Sequence, residues 1–194
     1  PQGVSAELVA HRWGLSRTTL DTYAVRSHAR AAAAAASGGF DDELVAVTPP
    51  GAAPVSADES IRPGTTLERL AGLAAVFGTD EMRARFPDID WSVTAGNSSQ
   101  ITDGASVLLL MSEERAAAFG LRPRARIHAS AVVGDDPQLM LTGPIAATTK
   151  VLARARLTLR DIDTVEVTEA FASVPLAWLA EHLVDELGAT NLSA

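Results

Sequence analysis

From Trp91 onward, short apolar runs alternate with segments that carry helix-start and helix-stop signals, and this alternation constrains the fold most. Residues 107–111 are a continuous apolar run of strand length, as expected of a strand buried on both faces. Ser112 then stands before Glu113 and Glu114, an N-cap followed by acids in the first helical turn, with Gly120 past the end. Residues 126–133 read as a second strand. Gly143-Pro144 opens a helix to about Arg156, with Pro144 suited to its first turn. Residues 163–167 are short and β-branched, and 169–187 follow as a helix, with Pro175 early and Gly188 after it. This order predicts an α/β core with a parallel or mixed sheet.

The first 90 residues have a different character. Ser5 is placed to cap a short helix over 6–13, with Glu7 near its positive end and Gly14 as its stop. Ser16 caps a longer helix over 17–36, which ends in polyalanine and stops at Gly38-Gly39. Residues 43–48 alternate like a strand. Residues 49–60 contain Pro49, Pro50, Gly51 and Pro54 and read as a long surface loop. Pro63-Gly64 marks a turn, Thr66 caps a helix over 67–75, and 78–90 reads as polar and irregular. Residues 1–90 are thus expected to form a mostly helical subdomain beside the α/β part.

Composition excludes several functions. The 194 residues hold no cysteine, so disulfides, thiolate metal sites and a thiol nucleophile within this chain are ruled out. The four histidines (His11, His28, His128 and His182) include no pair at local metal-ligand spacing. The net charge of −8 argues against general nucleic-acid binding, which needs basic patches, but leaves room for a local arginine cluster on a small anion. No apolar run reaches membrane-spanning length and no signal peptide is visible, so no membrane association and a cytoplasmic setting are the default expectations.

Five segments, in order, carry a family resemblance. They are Gly3-Val4-Ser5-Ala6-Glu7, the stretch from Asp58 through Arg62-Pro63-Gly64-Thr65-Thr66-Leu67, the run Val93-Thr94-Ala95-Gly96-Asn97-Ser98-Ser99-Gln100-Ile101-Thr102-Asp103-Gly104-Ala105, Thr142-Gly143-Pro144, and Val167-Thr168-Glu169-Ala170-Phe171-Ala172. Together they resemble the middle portion of thiolases, the acetyl-CoA acyltransferase family. The resemblance implies a partial thiolase-like fold, part of a mixed sheet with helices plus a helical loop subdomain. By it, 1–90 is the CoA-covering loop subdomain, 91–120 the end of the N-terminal core, and 121–194 the start of an incomplete C-terminal core. It also implies acyl transfer between CoA thioesters through a cysteine that lies outside this sequence, as does the family's catalytic histidine. The chain therefore reads as a piece of a longer polypeptide. A free-standing 194-residue product is expected to be poorly soluble or to need a partner.

The same resemblance assigns candidate residues. Thr168 stands where the family usually has an Asn that holds a water of an oxyanion hole, and a Thr hydroxyl has fewer hydrogen-bonding sites and less reach. Glu169 matches a Glu that fixes that loop, although an acid near a helix start is favoured in any protein. These two are the catalytic candidates. Arg62 would lie against adenine or its phosphates, where a guanidinium both stacks and pairs, and would otherwise be a solvated loop Arg. Phe77 would pack on the CoA moiety or simply fill the core. Ser99 would meet the pantetheine arm, or serve turn chemistry. Met140 would line the pantetheine channel or fill the core. Gln100 replaces a usual Gly, which raises the question of backbone strain there. No permanently bound cofactor is implied, with CoA or acyl-CoA as substrate and a homodimer or homotetramer as the assembly. Degradation of fatty acids or sterol side chains is the implied setting. The absence of cysteine and the Thr168 change motivate a competing reading, a non-catalytic thiolase-like subunit that binds acyl-CoA or a partner chain.

Overall fold

The computed structural model describes residues 1–187. Its helices are α1 (Gln2–Arg12), α2 (Arg17–Ala36), α3 (Leu67–Ala71), α4 (Asp80–Arg85), α5 (Glu113–Ala118), α6 (Gly143–Ala155) and α7 (Ser173–Leu187), with a single 3₁₀ turn at Leu159–Asp161. The expected Gly188 helix stop lies outside the described residues.

The caps act largely where the sequence put them. Ser16, Thr66 and Ser112 each accept a hydrogen bond from the backbone N–H three residues on, which satisfies one orphan donor per helix. Gly14 ends α1 with φ +61°, a conformation that a side chain resists. Thr79 caps α4 in the same way, inside a stretch expected to be irregular. The helix capped by Thr66 is shorter than expected, ending at Ala71.

Two starts differ from expectation. α1 begins at Gln2, because the Pro1 carbonyl accepts from the N–H groups of Val4 and Ser5. Ser5 is therefore inside the helix, buried, with its hydroxyl donating to the Gln138 carbonyl at 2.7 Å. Helix α7 begins at Ser173 and not at Glu169, since the preceding backbone is engaged elsewhere. The Ser99 N–H donates to the Ala170 carbonyl, the Ala172 N–H donates to the Asn97 carbonyl, and Ser98 and Phe171 form an antiparallel bridge.

The core is built mostly from small side chains. Ala6, Ala10, Leu20, Val93, Phe171, Ala172, Val174 and Leu176 form one buried cluster, with α1 packed on α7. Small residues let backbones approach closely. At Gly3 a Cβ would fall 2.2 Å from the Phe77 ring, so only glycine fits. Helix α6 also packs on α7, where the Trp178 indole N–H donates to Thr148 Oγ1 at 2.9 Å.

The expected mixed sheet is absent among the described residues. They hold two isolated bridges, Val47 with Val55 and Ser98 with Phe171. The strands expected at 43–48, 107–111, 126–133 and 163–167 do not form ladders. The expectation that 107–111 is buried on both faces is overturned, with Val107 94% and Leu108 85% exposed. The physical reason is that a strand needs a neighbour's N–H and C=O groups. No described segment supplies them to 107–111 or 126–133. Even so, 129–133 keeps a strand's two-residue rhythm, with Ala129, Ala131 and Val133 half-buried and Ser130 and Val132 exposed. Lys150 Nζ and Arg154 of α6 donate to the Val132 and Ser130 carbonyls and hold this segment extended.

Such unpaired apolar segments are association hazards. Sedimentation velocity on the isolated 194-residue polypeptide is expected to show self-association that grows through the micromolar to millimolar range. A single 20.2 kDa species at every concentration would contradict this.

Candidate functional site

A buried polar network fixes the loop that carries Ser99. Glu7 of α1 is fully buried, and its carboxylate accepts from the Ser92 N–H at 2.9 Å, the Val93 N–H at 2.8 Å and the Ser92 hydroxyl at 3.2 Å. Burial raises the Glu7 pKa above the ordinary carboxylate value, against the opposing pull of those hydrogen bonds and of Arg83. The sequence placed Glu7 at a helix start to favour the dipole; mid-helix it serves instead as the acceptor for two buried backbone N–H groups. Asn97, also buried, accepts from the Thr94 N–H at 2.9 Å and donates to Asp21 Oδ1 at 2.9 Å and the Ser92 carbonyl at 3.1 Å. Asp21 pairs with Arg17 at 2.7 Å, and Arg17 reaches the carbonyls of Leu70 and Leu73. α1, α2 and α3 are thereby tied to one loop.

The sign of the Glu7 shift gives a pH prediction. A carboxyl with a raised folded-state pKa binds its proton more tightly when folded. Its stabilising contribution is complete below the unfolded value near 4.5 and fades as pH rises through the folded value. The stability difference between the natural chain and Glu7→Gln, from urea unfolding, should move against the natural chain as pH rises above about 4.5. A difference independent of pH would refute the shift.

Beyond this network the loop opens onto two clefts. The first has a volume of about 290 Å³ and is lined by Tyr23, Ser27 and His28 of α2, by Ser60 and Ile61, by residues 96–100, and by Glu169 and Ala172. The second, about 520 Å³, is lined by Gln2, residues 99–101 and residues 168–171. The two share Ser99, Gln100 and Glu169. Three expected site residues, Ser99, Thr168 and Glu169, are thus brought together at the second cleft, and all three are exposed. The Ser99–Ala170 hydrogen bond, 2.9 Å, holds the two loops in register.

The other three candidates lie elsewhere. Arg62 is exposed in a turn, its carbonyl accepting from the Thr65 N–H and hydroxyl, and lines neither cleft. Its backbone N–H donates to His28 Nδ1 at 3.3 Å, so it borders the first cleft through His28. Burial first, and the Arg62 charge second, lower the His28 pKa. The Phe77 ring is half-buried, edge-on to Phe171 with centroids 6.0 Å apart, and packs against the core. Met140 is 51% exposed at φ 39° and lines neither cleft. Gln100 carries no left-handed strain, and its amide donates to the Ser60 carbonyl at 2.8 Å, bracing one side of the first cleft.

Sequence reasoning missed Tyr23 and His28 as cleft residues. On α2, Tyr23 stands one turn from Ser27 and Ala24 one turn from His28, so the helical period puts all four on one face. Among the described residues no group of three or more His, Asp or Glu side chains is placed to hold a metal ion. No described helix is long and apolar enough to cross a membrane.

Comparison with known proteins bears directly on this arrangement. Residues 1–114 match the family model described as the thiolase N-terminal domain, and residues 121–192 match that of the thiolase C-terminal domain. The chain is 46% identical over 178 residues to a 3-ketoacyl-CoA thiolase of Vibrio cholerae, covering 90% of this chain and 44% of that protein. It is 43% identical over 180 residues to the steroid 3-ketoacyl-CoA thiolase FadA6 of Mycobacterium tuberculosis, covering 93% of this chain and 41% of that protein. Among solved structures, the Bacillus anthracis acetyl-CoA acetyltransferase superposes with a TM-score of 0.81 at 40% identity, over 92% of this chain and 44% of that one. Human mitochondrial 3-ketoacyl-CoA thiolase in complex with CoA gives 0.85 at 37% identity, over 94% and 43%. The chain spans less than half the length of these relatives. The match of both family models, over residues 1–114 and 121–192, establishes that this chain belongs to the thiolase family.

Proposed function

We propose that these residues form the coenzyme-A-facing portion of an acyl-CoA C-acyltransferase of the thiolase type. The observation that carries the reading is the meeting of Ser99, Thr168 and Glu169 on one open cleft, braced by the Ser99–Ala170 hydrogen bond. In acyl transfer through a thioester, negative charge develops on a carbonyl oxygen, and groups fixed before the reaction stabilise it best. Ser99 and Thr168 supply hydroxyls to such a cleft and Glu169 a carboxylate acceptor. The chain holds no cysteine, so the nucleophile would come from thiolase sequence outside these 194 residues. Arg62 and Met140 would contribute to CoA binding only with further elements around them, and Phe77 through its contact with Phe171. Residues 1–90 would cover CoA, 91–120 would close an N-terminal core, and 121–194 would begin a C-terminal one. A homodimer or homotetramer is the expected assembly, and breakdown of fatty acids or sterol side chains the expected setting, the latter supported by a relative named for steroid substrates.

A second reading is a non-catalytic acyl-CoA-binding or partner-binding subunit, favoured by the zero cysteine count and by Thr168. Calorimetric titration with acetyl-CoA tests what the two share. Saturable binding is expected at micromolar to millimolar dissociation constants, weakened about three- to tenfold in Ser99→Ala, the worth of one hydrogen bond. The 194 residues alone should show no thiolytic cleavage of acetoacetyl-CoA. Co-expression with the cysteine-bearing remainder of a thiolase should restore turnover under the first reading and fail to do so under the second. Absence of saturable acetyl-CoA binding would overturn the first reading and leave only partner binding of the second.

A further inference from the structure

We propose that Tyr23 is the positioning residue of the Glu169 carboxylate, a contact that joins α2 to the loop before α7 across the first cleft. The inference rests on the acyl-CoA reading for its purpose and on geometry for its substance. Tyr23 and Glu169 line the same cleft from opposite elements. Tyr23 is half-buried against the core cluster, so its ring is fixed from behind while its hydroxyl meets the cleft. Across the cleft the phenol O–H is a donor and the Glu169 carboxylate an acceptor, the complementary pair that the proposed contact needs. Burial first, then the neighbouring Glu169 and Glu166, push the phenol pKa upward, with Arg30 opposing. The phenol therefore stays a donor at any working pH.

Glu169 has no comparable anchor on its own loop. Helix α7 starts only at Ser173, and the Ser98–Phe171 bridge fixes the backbone and not the carboxylate. One oxygen held by Tyr23 leaves the other free to accept a hydrogen bond beside Ser99, where the two clefts meet. A wandering glutamate would lose that direction. The tie also makes the first 36 residues part of the site, although α2 carries none of the segments that mark the family.

Tyr23 is the chain's only tyrosine, which makes the test clean. Labelled with ¹³C at the ring Cζ, the dilute chain gives one resonance. Lowering pH from about 7 to about 3, across which carboxylates take up protons, should shift that resonance. The inflection should vanish in Glu169→Gln and persist in Glu166→Gln. No inflection, or one that survives Glu169→Gln, overturns the contact. Acetyl-CoA affinity gives the second arm: Tyr23→Phe should weaken binding about three- to tenfold and leave the thermal unfolding midpoint nearly unchanged. Unchanged affinity in Tyr23→Phe overturns the positioning role. Absence of binding by the natural chain would remove the acyl-CoA reading and the positioning role with it. The NMR inflection would still stand, so the two failures are told apart.

Discussion

Glu7→Ala should destabilise the folded chain by about 3–5 kcal/mol, one of the two largest single-residue effects expected here. The side chain is fully buried, and its two oxygens are the acceptors of the Ser92 and Val93 N–H groups and of the Ser92 hydroxyl. Alanine leaves two buried backbone donors without a partner, each costing about 1–3 kcal/mol, and opens a void beside them. Relief of a desolvated charge offsets part of this, because burial already disfavours the ionised form. Glu7→Gln separates these effects. Its single carbonyl oxygen can serve one N–H while its amide faces the other, so a loss of about 1–2 kcal/mol is expected. Urea unfolding followed by tryptophan fluorescence measures both variants. Equal losses for Ala and Gln would mean that charge, and not the paired donors, sets the cost.

Much of the helical part was legible in the sequence because caps act locally. Ser16, Thr66 and Ser112 bond to an N–H three residues away, and no tertiary partner is needed. Thr79 carried the same signal, with Asp80 and Glu81 behind it, but the surrounding polarity hid a short helix. The strands failed for the opposite reason. An apolar run such as 107–111 states what a strand needs and not who supplies it, and no described segment pairs with it. The comparisons are consistent with this, since the relatives are more than twice as long as the matched region.

The site was legible in part, along the same divide. Ser99, Thr168 and Glu169 sit in two motifs far apart in sequence, and the resemblance marked both. Their meeting depends on backbone pairing between 97–99 and 170–172, which no local pattern reveals. Glu7 was misread because a helix-start acid and a buried acceptor look alike in sequence, and the helix begins at Gln2, four residues (6 − 2) before the expected start. Tyr23 carries no local signal of a site role, and its hydroxyl gains meaning only from Glu169, which shares its cleft from 146 residues away (169 − 23).

Asn97→Ala should cost about 3–4 kcal/mol and should also impair the cleft, which Glu7→Ala need not do so directly. The amide accepts from the Thr94 N–H and donates to Asp21 and to the Ser92 carbonyl, all at buried atoms. Removing it orphans a fully buried N–H at Thr94 and leaves Asp21 with Arg17 as its remaining side-chain partner. Asn97→Asp should be worse than alanine in one respect, because it sets a second carboxylate against Asp21 and removes both donated hydrogen bonds. The Asn97 carbonyl also receives the Ala172 N–H, two residues before the next contact point at Ser99. Loosening Asn97 thus loosens the isolated bridge that holds Glu169 beside Ser99. Amide hydrogen exchange should show Ser99 and Ala172 losing protection in Asn97→Ala, with acetyl-CoA affinity falling in parallel. Glu7 and Asn97 both hold Ser92, so the double variant should lose less than the sum by about 0.5–3 kcal/mol. Strict additivity would mean the two anchors act on separate loops, and the single buried network that positions the cleft would have to be divided in two.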